Sequence, residues 1–421
     1  MADTIYAQAS APGKAGVSVI RVSGPAAFAG VARMCDLPAL RKAGLRQIRD
    51  DRGQLLDSGL VLCFPAGSSF TGEDVVELQV HGSLAVIRGV MENLSKLPGF
   101  RPAAPGEFTR RALENDRMDL AQVEGLADLI DAETELQRVQ AQSSLSGGLA
   151  KRVDTWRESL IDAASLLELT LDFADEDVPT DVDTDVAGLL RSVAEDMERE
   201  LRAADVAERI RTGFEIALIG PPNAGKSTLL NAIARRPVAL TSEIAGTTRD
   251  VIEVRVDLKG IPVTMLDTAG LRESLDPIER QGIALTRIRA AAADVRVWLD
   301  DGSTKVPEGM DIVLLAQDDD GTRGGVSGKT GAGVTELLGR LQSLLESRVP
   351  KDALALRNRH RASLERAIAS LREICGELTS SPSELSAQRV RDVIRDLQEL
   401  IGGVDTEDLL GSIFSRFCIG K

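Results

Sequence analysis

The sequence predicts a multidomain protein with an α+β N-terminal domain, a helical bundle domain, and an α/β domain inserted into that bundle. Three observations carry this. Short β-rich runs punctuated by Gly and Pro fill residues 1–117, long helical periodicity starts near 118, and strands alternate with helices from 212 to 350 before helices return. At 421 residues there is room for about three domains, taking roughly 100–200 residues for each. The corresponding boundaries are 1–117, 118–211, 212–350 and 351–421, with the second and fourth segments closing into one bundle.

In the first segment Val17–Val22, Leu60–Phe64 and Val75–Val80 read as strands, the second closed by Pro65. Residues Leu84 to Leu97 read as a helix ended by Pro98-Gly99. Farther on, the run from Asp175 to Asp185 holds six acidic residues and no basic one, and reads as a solvated loop. Helical faces follow at Leu190, Val193, Met197 and Leu201, and again at Leu364, Ile368 and Leu371 and at Val390, Val393, Ile394, Leu397 and Leu400.

The inserted segment carries chemistry. Glu215–Ile219 is a short apolar strand running into Gly220-Pro221-Pro222-Asn223-Ala224-Gly225-Lys226-Ser227, and Thr228-Leu229-Leu230-Asn231 opens a helix behind it. This is the GxxxxGK[ST] phosphate loop in the strand-then-helix context that the motif requires. Its backbone N–H groups and the helix N-terminus favour phosphate oxygens. Lys226 is placed for the β- and γ-phosphates and Ser227 for Mg²⁺. A second strand, Val263–Leu266, runs into Asp267-Thr268-Ala269-Gly270, where Asp267 suits the Mg²⁺ shell and the Gly270 N–H the γ-phosphate. Between the two lies Gly246-Thr247-Thr248-Arg249-Asp250, with hydroxyls placed to sense Mg²⁺. Three elements in this order identify a nucleotide triphosphatase site.

Composition narrows the setting. No apolar run approaches the roughly 20 residues of a membrane span, and the start, Met1-Ala2-Asp3-Thr4, lacks signal-peptide character; a cytoplasmic protein is expected. A formal net charge of −15 argues against a broad basic surface for nucleic acid. Cys35, Cys63, Cys375 and Cys418 are widely spaced, as free thiols rather than zinc ligands or a redox pair.

The phosphate-site motifs resemble the translation-factor-like small GTPases, and the remaining motifs narrow the resemblance. Asp3-Thr4-Ile5, Pro12-Gly13-Lys14-Ala15-Gly16, Arg21-Val22-Ser23-Gly24, Phe70-Thr71-Gly72-Glu73-Asp74, Pro105-Gly106-Glu107-Phe108-Thr109, Met118-Asp119-Leu120-Ala121-Gln122 and Cys418-Ile419-Gly420-Lys421 resemble the MnmE (TrmE) tRNA-modification GTPases. The resemblance implies a homodimer made by the N-terminal domain, acting with an FAD-dependent MnmG-type partner in a heterotetramer or larger complex. Transfer RNA is then met mainly through that complex. The implied reaction adds a carboxymethylaminomethyl or aminomethyl group to C5 of the wobble uridine, with 5,10-methylene- or 5-formyl-tetrahydrofolate as one-carbon source. The family's folate contacts fall on Arg21, Glu77, Arg117 and Lys421, with Arg117 standing where the family has Lys. Taken singly, each of these charged residues reads as solvated surface.

For hydrolysis, Leu271 follows Gly270, so no glutamine stands there to orient water. The resemblance implies K⁺ instead, with Asn223 as a ligand, Ser242, Ile244 and Thr247 contributing from their loop, and Thr248 completing the Mg²⁺ site. Glu279 matches the family's water-positioning residue; Arg249 and Arg272 read equally as exposed loop charges. Nucleotide contacts are expected at Asn223, Ala224, Gly225, Lys226, Ser227 and Thr228, at Ser242, Thr247 and Thr248, at Asp267, Thr268, Ala269 and Gly270, and at Asp319, Ser327, Gly328 and Lys329.

The guanine motif departs from pattern. Asn-Lys-x-Asp is replaced by Ala316-Gln317-Asp318-Asp319, with Gln317-Asp318-Asp319-Asp320 the alternative frame. Only the final Asp survives, so guanine preference with weakened affinity is expected for GTP and GDP. In the tail, Cys418 beside Lys421 reads either as an activated thiolate serving the modification or as a small packed residue. A GTP-dependent ribosome-assembly switch is the competing function. It needs neither the folate-type N-terminus nor the Cys-Ile-Gly-Lys tail.

Overall fold

The computed structural model describes residues 3–172, 182–240, 253–267, 288–349, 354, 356–400 and 420. The chain divides into two compact units, Met1–Ala127 with Ile401–Lys421 and Asp128–Leu400.

The first unit is built on a six-stranded sheet. Its strands are β1 (Thr4–Gln8), β2 (Ala15–Ser23), β3 (Gly44–Arg49), β4 (Leu55–Phe64), β5 (Val75–Gly82) and β6 (Phe100–Pro102), ordered β3-β4-β5-β2-β1-β6. Neighbours are antiparallel except β1 and β6. Along β5 the side chains alternate, Leu78 and Val80 buried and Glu77 and Gln79 half-buried, as a sheet with one covered face requires. Tyr6, Ile20, Val22, Ile48, Val61 and Leu78 form the covered face, packed with Val90 and Leu94 of α2 (Leu84–Ser95). The opposite face carries a smaller cluster of Ile5, Ala7, Ala103 and Phe108.

Four of the sequence motifs converge beside that cluster. Arg111 of α3 (Glu107–Glu114) is buried, and its guanidinium reaches Asp3 at 2.7 Å and Glu73 and Glu107 at 3.1 Å. Glu73 also accepts from the Ser23 hydroxyl at 2.7 Å. A buried cation matched by several carboxylates is what makes its burial tolerable.

In the second unit four helices close a ring: α6 (Gly148–Asp172), α7 (Val182–Thr212), α10 (Asn358–Glu377) and α11 (Ser383–Glu399). Helix α6 packs on α7 and α11, α7 on α10, and α10 on α11. Trp156, Leu160, Leu190, Met197, Leu364, Leu371, Val390 and Leu397 fill the middle. Leu201 and Ile394, expected on the core faces, are only half-buried. The solvated loop expected over Asp175–Asp185 is corrected from Val182 on, where the chain is helical. Helix α7 begins at Val182, and Asp183 and Asp185 lie in its first turn, where the helix dipole favours negative charge. Residues 175–181 of that run lie outside the described residues.

The α/β block interrupts this bundle between α7 and α10. Helix α7 stops at Thr212, Gly213 takes a positive φ, and the chain enters β7 (Phe214–Ile219) at once. Asp294 fastens the junction, accepting from the Glu215 N–H at 2.8 Å and pairing with Arg209 at 2.9 Å. With β8 (Glu253–Leu258), β9 (Ile261–Asp267), β10 (Val295–Asp300) and β11 (Ile312–Leu315), β7 forms a sheet ordered β11-β10-β7-β9-β8, parallel except for the β8–β9 hairpin. Leu229, Leu230 and Ile233 of α8 (Lys226–Ala234) and Leu337, Leu341 and Leu345 of α9 (Val334–Glu346) pack with Ile216, Leu218, Val263 and Leu299 of the strands.

Candidate functional site

Strand β7 lies at the centre of its sheet, between β10 and β9, and its C-terminal end is the switch point where such folds bind ligands. Two residues of the following turn, Asn223 and Gly225, adopt left-handed backbone with φ of 64° and 90°. Asparagine and glycine are the residues that tolerate this. Gly225 is the N-cap of α8, so the helix starts at Lys226 with its first N–H groups facing the turn.

Lys226 is 5% exposed, and its ammonium donates to the carbonyls of Gly220 at 2.9 Å and Pro221 at 2.8 Å. Burial lowers its pKa, opposed by the charges of Asp267 and Asp301. Ser227 Oγ donates to Asp267 Oδ2 at 2.5 Å, joining the helix start to the end of β9. The hydroxyl and carboxylate called for by the sequence thus meet, and such hard oxygen donors suit Mg²⁺.

Beside the turn opens a cavity of about 360 Å³ lined by Asn223, Thr228, Leu299, Gln317, Asp319 and Lys329 among others. Ala224, Gly225, Ser327 and Gly328 also border it. Of the two frames open in the sequence, it is Asp319 that lines this cavity. Its carboxylate accepts from Ser327 Oγ at 2.6 Å and lies 3.6 Å from Lys329 Nζ. The loop holding Ser327 presses on α8 so closely that a Cβ on Gly328 would sit 2.3 Å from the Leu229 nitrogen. No side chain other than hydrogen fits there.

In the N-terminal unit Arg21 and Glu77 face each other on adjacent strands and pair at 2.9 Å. The Arg21 guanidinium lies over the rings of Phe70 and Phe108 at 5.6 and 5.7 Å. The Arg117 stem crosses Gly72 of the Phe70–Asp74 segment, where an added Cβ would lie 3.2 Å from its Cγ. Lys421 lies outside the described residues, as do Ser242, Ile244, Thr247, Thr248, Arg249, Thr268, Ala269, Gly270, Arg272, Glu279 and Cys418. Its neighbour Gly420 is described. With φ of 102°, it abuts the Gln8 carbonyl on β1, 2.1 Å from where a Cβ would be.

Two family models match, the "GTP-binding protein TrmE N-terminus" over residues 4–117 and the "MnmE helical domain" over residues 120–418. The chain belongs to the MnmE family of tRNA-modification GTPases. The tRNA modification GTPase MnmE of Cereibacter sphaeroides (strain ATCC 17025 / ATH 2.4.3) is 54% identical over 428 residues, and that of Roseobacter denitrificans 53% over 427, each covering 100% of both chains. Among solved structures, a variant of Aquifex aeolicus Era bound to GDP.AlF4- overlaps 37% of this chain and 66% of its own at 20% identity. The TM-score of that overlap is 0.24. As an MnmE-family member the protein binds guanine nucleotides and hydrolyses GTP in the service of tRNA modification.

Within this MnmE-type site the structure adds two residues that sequence reading gave no role. Gln317 reaches the phosphate loop, its side-chain amide donating to the Asn223 carbonyl at 2.6 Å. Asp318 turns inward and is 1% exposed, with Oδ2 accepting from the N–H groups of Gly325 at 2.9 Å and Arg323 at 3.0 Å. Those hydrogen bonds, the one from Gly325 foremost, hold its carboxyl below the usual range. The departure from the guanine motif was legible; what the replacements do was not, because their partners are distant or in the backbone. Cys35 and Cys63 are buried free thiols, and burial pushes the Cys35 pKa up to about 11, as unreactive core residues. Among the described residues no cluster of His, Cys, Asp or Glu could hold a metal, and no helix is long and apolar enough to cross a membrane.

Proposed function

We propose that this chain hydrolyses GTP with K⁺ stimulation and acts as a homodimer with an FAD-dependent MnmG-type flavoprotein. The pair uses reduced folate to install the carboxymethylaminomethyl or aminomethyl group at C5 of the wobble uridine, and meets tRNA mainly as a complex. The observation that carries the hydrolytic part is the convergence of the Asn223–Ser227 turn with Asp267 at the end of β9, which Ser227 meets, and with Asp319, which lines the same cavity as Asn223.

The roles follow from the charge that builds between the β- and γ-phosphates during transfer. Lys226 and the N–H groups at the start of α8 offset that charge, and Ser227 and Asp267 would hold Mg²⁺, which neutralises the phosphate oxygens. Asn223, on a left-handed turn at the cavity mouth, would supply an oxygen to K⁺. Asp319 would accept from the guanine N1–H and exocyclic amine.

The folate reading is supported by a row across the N-terminal sheet. Ala7, Arg21 and Glu77 are in register on β1, β2 and β5, and Gly420 abuts Gln8 beside that row. A cation–carboxylate pair under aromatic rings suits a pterin, whose ring takes paired hydrogen bonds. Because Gly420 neighbours Lys421, the row also supports bringing the tail, with Cys418, toward the folate residues.

Replacing Na⁺ by K⁺ at constant ionic strength tests the hydrolytic reading. GTP turnover should rise many-fold, and Asn223→Ala should abolish the rise. Equal turnover in the two salts would overturn the potassium role.

A further inference from the structure

We infer that Gln317 is a positioning residue for the nucleotide. Its side-chain amide ties the base-recognition loop to the phosphate loop, in a segment from which the motif's Asn and Lys are absent. The inference rests on the nucleotide site alone and not on the potassium or folate readings.

Three consecutive side chains divide three tasks. Gln317 Nε2 reaches across to the Asn223 carbonyl, Asp318 holds the Arg323 and Gly325 N–H groups of its own loop, and Asp319 accepts from Ser327. Ala316, in the place of the motif's Asn, holds its position through backbone alone, donating its N–H to Asp300 at 2.7 Å and bridging to Val326. The Gln317 stem lies along the turn, with Cγ 3.9 Å from where a Cβ on Gly225 would be.

Backbone conformation agrees. Gln317 and Asn223, at the two ends of the bond, have φ of 56° and 64°. Non-glycine residues keep such angles where the surroundings hold them. The bond therefore links two strained turns, one bordering the phosphate side of the cavity and one bordering the base side. Cutting it leaves Asp319 free to choose its base and loosens the turn that the phosphates bind. The signature is weaker affinity with unchanged base choice.

The full-length chain with Gln317→Met keeps the stem and removes the donor without adding charge. Its dissociation constant for a fluorescent N-methylanthraniloyl-GDP should rise about three- to tenfold, the range for a lost neutral hydrogen bond. The preference for GDP over xanthosine diphosphate should stay within about twofold of the parent's, a tolerance well inside the discrimination expected of a polar base contact. In the nucleotide-free protein, amide hydrogen exchange at Asn223, Ala224 and Gly225 should quicken. Gln317→Lys, which restores a donor, should recover affinity and slow exchange. Native affinity and exchange in the Met variant would overturn the inference, as would a changed base preference. If the Met variant also melts at lower temperature, the Lys variant decides: recovered affinity supports the role, and failure to recover refutes it.

Discussion

Replacing Gly328 with alanine should open the base side of the nucleotide cavity. The new Cβ would lie 2.3 Å from the Leu229 nitrogen and 2.5 Å from the Thr228 carbonyl carbon, both in the backbone of α8. Ordinary contact begins near 3.4 Å, so the loop must retreat by about 1 Å, because α8 is held by Leu229, Leu230 and Ile233 in the core. The Ser327 hydroxyl, 2.6 Å from Asp319, would then stand beyond hydrogen-bond range. Overpacking of this kind costs about 1–3 kcal/mol, shared between folding and binding. At 1.4 kcal/mol per decade, a share near half predicts about a two- to tenfold rise in the dissociation constant for GDP. Fluorescence titration with labelled GDP, beside thermal melting of the nucleotide-free protein, measures both shares. An unchanged constant together with an unchanged melting temperature would refute the packing argument.

Two further predictions follow from named groups. Asp319→Asn should turn preference from GDP toward xanthosine diphosphate, whose C2 oxygen accepts where guanine donates; calorimetry showing intact guanine selectivity would move base recognition elsewhere. His360 is 1% exposed, with Nδ1 accepting from the Arg357 N–H at 3.1 Å. Burial, with Arg359 and Arg357 nearby, lowers its pKa to about 3. The unfolded chain takes up this proton near pH 6.5, so the stability from keeping His360 neutral is full above pH 6.5. It is lost as pH falls toward 3, by about 1.4 kcal/mol per pH unit at most. Urea denaturation at pH 7, 5.5 and 4 should show a shallower acid slope for His360→Asn, and equal slopes would count against it.

How much of this was legible depended on how local each signal is. Lys226, Ser227 and Asp267 could be read because phosphate binding needs fixed residue types between a strand and a helix, and the spacing alone identifies them. The insertion was equally legible, since a period of 3.6 before and after an α/β block implies one bundle. Strand β1 was missed: five residues, Thr4–Gln8, with four of them buried, carry no alternation, and the strand exists through pairing with β2 and the distant β6. Helix α3 was hidden behind Pro105-Gly106, which reads as a turn although Gly106, with φ of 68°, is its N-cap. Asp183 and Asp185 read as loop because a like-charge run signals repulsion locally, whereas the helix dipole that accommodates them exists only once α7 has formed. Gln317 was seen only as a lost lysine, since its partner lies 94 residues away.

The most direct test of the account is mass spectrometry of wobble uridines in tRNA from a strain lacking this gene. C5-modified wobble uridines should disappear in that strain, and the intact chain should restore them. Lys226→Ala, which removes the cation placed for the phosphates and is checked for folding by its melting temperature, should not restore them. Wobble uridines that stay fully modified in the deletion strain, or full restoration by Lys226→Ala, would contradict the claim that GTP hydrolysis by this chain drives the modification.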